Sequence, residues 1–156
     1  MPNLFPDSDY TNDTTSSSTS TTSGNNSDAG YKGSYKFDFN KGEFVRNPDG
    51  TLARCNRLEA YEQWCNKAMN TPVGFRAYSR LYGHELDTLS DSLYSREAIE
   101  LEVKRMTTDT LIVHPMTKDV KDFAFTWQNN GELYYDYTVI TVDEESIDMN
   151  NTTKVG

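Results

Sequence analysis

Residues 133–142, LYYDYTVITV, constrain this chain more than any other stretch. Leu133, Tyr135, Tyr137, Val139 and Thr141 fall on one face of an extended backbone; Tyr134, Thr138, Ile140 and Val142 fall on the other. Aromatic and β-branched residues at period two read as a strand. Upstream, Phe123, Phe125 and Trp127 alternate in the same way, and Asn129-Asn130-Gly131 between the runs is a turn signal, so the pair predicts a β-hairpin. A second strand apolar on both faces needs cover on both. Either an earlier hairpin or the connector of the same chain supplies that cover, or the second face meets another subunit, or a sheet edge is left for strand addition. The residues alone leave these open.

Two helices offer cover for the first face. Leu58, Tyr61, Trp64, Cys65, Ala68 and Met69 recur at three- and four-residue spacing and form one broad apolar stripe. Pro72 closes that helix, because the residue before a proline is steered out of the helical region. A second helix is predicted from Ser95, a plausible N-cap with Glu97 in the first turn, with Ala98, Ile99, Val103, Met106 and Thr110 inward. It should stop by Val113, since His114 precedes Pro115. Between the helices lies an aromatic-rich connector with a turn at residues 82–85. Ahead of them, Tyr35, Phe37 and Phe39 alternate with polar residues, predicting a strand with one buried face, and Asn47-Pro48-Asp49-Gly50 turns the chain back as a hairpin. Strands and helices that do not alternate strictly point to an α+β fold, a small mixed or antiparallel sheet with the two main helices on one face.

The ends differ from the body. Residues 1–30 hold four aspartates and no Lys or Arg, and their Ser/Thr run contains no aliphatic residue. Such a segment cannot bury enough apolar surface to offset its ordering entropy, so a disordered low-complexity tail or linker is expected over residues 1–34. Only Leu4 and Phe5 could anchor it, as a short docking motif. Beyond Val142 the chain is acidic and Asn-rich, and a frayed C-terminal tail is expected over residues 146–156, leaving 35–145 as the folded domain. Of the net charge of −9, residues 31–142 contribute only −2, so the body is nearly balanced. A basic footprint for nucleic acid is absent, and no apolar run approaches the ~20 residues of a membrane-spanning helix. Cys55 and Cys65 are too few for a disulfide framework or a zinc site, and read as buried free thiols of a protein assembled in a reducing compartment.

Chemistry is scarce. His84 beside Glu85, and His114 before Pro115, lack a nucleophile partner in any known catalytic spacing, and no phosphate-cradling glycine loop occurs. A glycosidase needs only two carboxylates. Glu85, Asp87 and Asp91 form one acidic group, and Glu97, Glu100 and Glu102 another on the second helix, where solvation and the helix dipole already favour acids. No catalytic residue, cofactor site or metal site is expected.

The ordered segments MPNLFP, YKFDFNKGEFV, LEAYEQWCNKAMNTP, AYSRLYGHEL, SREAIELEVKRMTTDTLIVHPMTKDVKDFAFTW and LYYDYTVITVDEE resemble the XkdS-like baseplate proteins. These belong with the gpW/gene-25-like wedge subunits of contractile tails. The resemblance covers nearly all of residues 35–145, through order and spacing rather than one motif. It implies a domain similar to the C-terminal domain of tail-sheath subunits and a structural, non-enzymatic role at the baseplate, assembled in the bacterial cytoplasm. The implied partners are the sheath protein, other wedge proteins and the central hub or spike, at six copies per particle. Many members carry Glu-Pro-Arg after the second helix as a wedge contact. His114, Pro115 and Met116 occupy those positions here, so the proline is kept and the charged pair is not. With the resemblance, the residues expected to meet partners are His114, Pro115, Met116, Tyr134, Thr138, Val139, Ile140 and Val142, together with Leu4 and Phe5. The alternative is a tail-associated lysozyme-like hydrolase that cleaves peptidoglycan.

Overall fold

The computed structural model describes residues 31–90 and 93–155. Of the tail expected over residues 1–34, residues 1–30, with Leu4 and Phe5, lie outside the described residues; Tyr31 and Ser34 already belong to the folded part, the Tyr31 hydroxyl donating to Cys55 O at 3.1 Å and Ser34 pairing with Cys55.

Helix α1 spans Arg57–Met69. Asn56 starts it by a reciprocal cap: its side chain accepts the Glu59 N–H at 2.8 Å, and the Glu59 carboxylate accepts the Asn56 N–H at 3.1 Å. Its apolar stripe buries Tyr61, Cys65, Ala68 and Met69, with Leu58 and Trp64 at the margin. Helix α2 spans Arg96–Ile112, and the Ser95 hydroxyl accepts the Ala98 N–H at 3.3 Å. Ile99, Val103, Met106, Thr107, Thr110 and Leu111 are its buried residues.

The main sheet has three antiparallel strands in the order β5 (Thr117–Trp127), β6 (Glu132–Thr141) and β7 (Ser146–Lys154). Both helices cover one face of it. On that face Leu133, Tyr135, Tyr137 and Val139 are at most 1% exposed. Phe123 stacks on Tyr137 at 5.5 Å and Tyr137 on Tyr135 at 5.7 Å, a row of rings that α2 closes with Lys104 over Phe123 and Arg96 over Trp127. The fold is α+β with two helices on one sheet face, as expected.

Two expectations are corrected. The frayed tail expected over residues 146–156 is instead a strand as far as the described residues reach, since Ser146–Lys154 pairs with β6 along its whole length. Ile147, Met149, Thr153 and Val155 point inward and are buried, while Asp148, Asn150 and Thr152 face solvent and give the segment its polar look. The reversal before it is tied by Thr141 N–H to Glu145 O (2.9 Å) and by ion pairs Arg57–Asp143 (3.2 Å) and Lys118–Glu144 (2.9 Å).

The second correction concerns the first hairpin. It consists of short ladders, β1 (Ser34–Tyr35) with β4 (Arg54–Cys55) and β2 (Phe37–Asp38) with β3 (Glu43–Phe44), resting on α1 rather than on the main sheet. The Asn47-Pro48-Asp49-Gly50 turn is present, closed by Gly50 N–H to Asn47 O at 2.9 Å. The aromatic face is not buried: Tyr35, Phe39 and Phe44 are 45%, 44% and 49% exposed. Two-residue ladders are too short to bring a second layer over it.

The connector is held by backbone. Val73 N–H donates to His84 O and His84 N–H to Thr71 O, both at 2.8 Å. Gly83 sits between them at φ +108°, and any Cβ there would meet the Thr71 carbonyl at 2.5 Å, so only glycine fits. Cys55 and Cys65 are free and buried, and burial pushes the Cys65 thiol up to about 12, which leaves it unreactive.

One buried hydroxyl joins three elements. Thr117 at the start of β5 donates to Leu111 O of α2 at 2.6 Å, and Tyr61 of α1 meets the same hydroxyl at 2.7 Å. The Thr117 proton is used on Leu111, so Tyr61 is the donor. Tyr61→Phe is expected to cost about 1–2 kcal/mol and Thr117→Val about 2–3 kcal/mol, because the latter orphans both the Tyr61 hydroxyl and the Leu111 carbonyl. Urea unfolding reads both; equal, negligible losses would refute the shared node.

Both histidines serve as acceptors. Nδ1 of His84 accepts the Leu86 N–H at 3.2 Å, and Nδ1 of His114 accepts the Met116 N–H at 3.1 Å. Burial pushes both imidazoles below their ordinary value of 6.5, with Arg57 adding to the effect at His114 and Asp87 opposing it at His84. Below 6.5 the unfolded chain therefore binds more protons than the folded one, and stability falls as pH drops from 6.5 through the folded values. The expected result is a melting temperature that declines from pH 7 to pH 5. In His114→Asn, whose side-chain oxygen keeps the acceptor, the decline becomes shallower; an unchanged slope would exclude His114 as a contributor.

Candidate functional site

A sheet recruits a partner strand only through an edge whose N–H and C=O groups are unpaired and straight. Strand β6 has neither edge free, because β5 and β7 flank it. The strand read from sequence as the partner surface is the centre of the sheet, and the edges belong to its neighbours.

The two edges differ. β5 breaks register twice, between Thr117 and Asp119 and between Lys121 and Ala124, and Asp122 in the second break has φ 56°. Bulges and the edge lysines Lys118 and Lys121 are the devices that deter pairing. β7 runs unbroken against β6 from Ser146 to Lys154.

The direction of each β7 peptide group follows from its ends. Val155 N–H donates inward to Gly131 O at 2.8 Å, whereas Lys154 O accepts from the Ser90 hydroxyl, on the outer side, at 3.3 Å. Antiparallel backbone groups alternate, so residues 147, 149, 151 and 153 bond to β6, while Ser146, Asp148, Asn150 and Thr152 turn theirs outward. Ser90 caps the far end of that row. Beside it lies a groove of about 550 Å³, with Asn66, Asn70, Asp87, Ser90, Asn150 and Thr152 among its walls. Amides and hydroxyls can each donate or accept, which suits a peptide of unspecified sequence.

The residues expected to meet partners fall into three groups. Tyr134 and Val142 are exposed, and Thr138 and Ile140 half-buried, on the sheet face away from the helices. Thr138 is engaged there, donating to the Asp148 carboxylate at 2.8 Å. Val139 is 0% exposed and Met116 is 9%; both belong to the core cluster rather than to an open surface. Pro115 is exposed, His114 lies half-buried against Tyr61 and Trp64 at 4.9 and 4.5 Å, and Ile112 and Val113 beside them are exposed. The turn thus offers Ile112, Val113 and Pro115 outward, not the His114–Met116 pair. Sequence reasoning missed β7 entirely. Its signal, Ile147, Met149, Thr153 and Val155 at even spacing, was masked by intervening Asp, Asn and Thr.

Glu100 accepts the Trp127 indole N–H at 2.7 Å and Glu102 pairs with Arg105 at 2.8 Å, while Glu85 and Asp87 are exposed. Among the described residues no group of three or more His, Cys, Asp or Glu could hold a metal ion, and no helix is long and apolar enough to cross a membrane.

No curated protein matches the chain. A family profile described as contractile injection system sheath initiator matches residues 33–144, from the first ladder through β6 and ending just before β7. That span is well over half of the 156 residues. Its members are structural components that start the sheath of a contractile tail. The chain belongs to the contractile injection system sheath initiators.

Proposed function

We propose that this chain is a baseplate wedge subunit of the XkdS-like, gpW/gene-25-like kind, and that it starts the sheath by accepting an extended terminal segment of a sheath subunit along the outer edge of β7. The observation that carries the reading is the row of outward peptide groups at Ser146, Asp148, Asn150 and Thr152, unbroken by bulges and flanked by a polar groove. Main-chain pairing transfers between nonidentical subunits because it asks little of side chains. The exposed turn at Ile112, Val113 and Pro115 is the surface assigned to the other wedge proteins and the hub. At six copies per particle, modest contacts add up through multivalency. Assembly takes place in the bacterial cytoplasm, where the free thiols of Cys55 and Cys65 stay reduced.

Asn150→Pro tests the edge. Proline is tolerated where a strand's N–H faces solvent, so the variant should fold with nearly wild-type stability while losing one outward donor and crowding the incoming strand. Baseplates should incorporate it and carry at least about tenfold fewer sheaths, since a lost bond of about 1 kcal/mol is about fivefold at one copy and recurs at every copy around the ring. Met149→Pro, whose N–H points to β6, should not fold. Normally sheathed tails from folded Asn150→Pro protein would overturn the β7 edge as the docking site.

Val113→Asp tests the turn. Val113 is 45% exposed, so its replacement should change unfolding stability by less than about 0.5 kcal/mol. Incorporation into baseplates should fall sharply in pull-down of assembled particles. Wild-type incorporation would remove this turn from the wedge contact.

A further inference from the structure

The polar groove beside β7 has tolerant walls, but its floor is selective. His84 lies there at 9% exposure. Its Nδ1 accepts the Leu86 N–H at 3.2 Å, so the proton of the neutral ring is on Nε2. Among the described residues that N–H meets no acceptor, yet it is not sealed in: the enclosed side-chain polar atom without a partner is Tyr82 Oη. Nε2 therefore opens on the groove that His84 lines. A donor so nearly enclosed is costly to leave unpaired once a docked strand shuts water out.

The groups around it are committed on one side and open on the other. The Asn70 side-chain amide donates to Asn66 O at 2.7 Å, which leaves the side-chain oxygen to accept. The Asn151 side-chain oxygen accepts the Tyr137 hydroxyl at 2.9 Å, which leaves its amide N–H groups to donate. Asp87 adds a carboxylate to the walls and Lys154 an ammonium. A cationic side chain placed here meets Lys154 and leaves the His84 and Asn151 donors unpaired. An anionic one meets Asp87 and leaves the Asn70 oxygen unpaired. A carboxamide carries an oxygen that accepts and a nitrogen that donates twice, and it opposes neither charge.

Side chains directly opposite each other on adjacent strands share one face of a sheet. A strand bonded to the outward groups of Asp148, Asn150 and Thr152 therefore has side chains level with Asn151 and Thr153 on the helix side. They enter the groove that these two residues share with His84, Asn70 and Asp87. We infer that the sheath segment docked on β7 carries a carboxamide, Gln or Asn, at that position, and that His84 selects it as the hydrogen-bond donor of the groove floor. The inference rests on the β7 edge as the docking site and adds to it a residue that reads the incoming side chain.

The probes are blocked heptapeptides, acetyl-SVTXTVS-amide, with Gln, Asn, Ala, Glu or Lys at X, titrated into the isotope-labelled full chain and followed by amide shifts. All of them should move the amides of residues 148–153. The Gln or the Asn peptide should bind about tenfold tighter than the Ala peptide, as one or two added hydrogen bonds give, with Glu and Lys no tighter than Ala. In His84→Asn the side-chain oxygen still accepts the Leu86 N–H, so the fold is kept and the Ala peptide binds as before. The carboxamide preference should then fall to about twofold or less. Asp87→Ala, at an exposed side chain, gives a second reading that leaves the core alone: the Glu peptide should tighten several-fold at low salt. Equal binding of all the peptides at residues 148–153, a carboxamide preference that survives His84→Asn, or a Glu peptide indifferent to Asp87→Ala overturns the inference and leaves the β7 docking site standing. Peptides that shift no amide of residues 148–153 overturn the docking site and the inference together.

Discussion

Leu133, Tyr135, Tyr137 and Val139 cannot be left in water, and their burial on one face of β6 dictates where every other element goes. Four such side chains contribute on the order of 6–12 kcal/mol when fully covered, comparable to the net stability of a small domain. A single hairpin cannot cover itself. Helices α1 and α2 supply the lid, and their own stripes are satisfied in the same act. With the helices on one side, β6 takes the centre, since only a central strand has its backbone paired on both edges within the chain. The third strand is then a necessity rather than an ornament: β7 finishes the inner face with Ile147 and Met149 and moves the open edge outward.

That displacement has a functional side. Had β6 been the edge, an incoming strand would have lain next to the most buried part of the core, and docking and folding would have been one event. With β7 between, the outward groups at Asp148, Asn150 and Thr152 can be occupied or vacated without disturbing Tyr135 or Tyr137. β5 is made unsuitable by its two register breaks, so the domain has one straight edge and one blunted one.

The parts of the fold that were legible in the sequence are those in which one residue type carries one physical instruction. Pro72, Ser95 and Pro115 mark helix ends through backbone chemistry that needs no tertiary context, and the Tyr61–Met69 stripe stands out because its polar intervals are clean. β7 was hidden for the opposite reason. Its inward residues include Asn151 and Thr153, and Asn151 is acceptable there because its side chain accepts the Tyr137 hydroxyl proton at 2.9 Å. Hydrogen bonding substituted for hydrophobicity, and a pattern that counts only apolar residues cannot register the exchange. The first hairpin failed in the other direction, since Tyr35, Phe37 and Phe39 alternate cleanly yet leave their face open. Period two specifies a face but not what covers it.

The same ambiguity explains the partner residues. From sequence, Val139 and Ile140 are interchangeable members of a two-faced strand, and only the position of the helices separates them, sending Val139 to the core and leaving Ile140 half-open. Met116 and Pro115 divide in the same way: Met116 joins the buried core cluster and Pro115 is exposed. Partner surfaces in this domain are therefore what remains after the inner face of β6 has been covered. They are set by packing first and by residue type second, and on the function proposed above it is the backbone at the β7 edge, rather than the aromatic strand beside it, that takes a strand from another subunit.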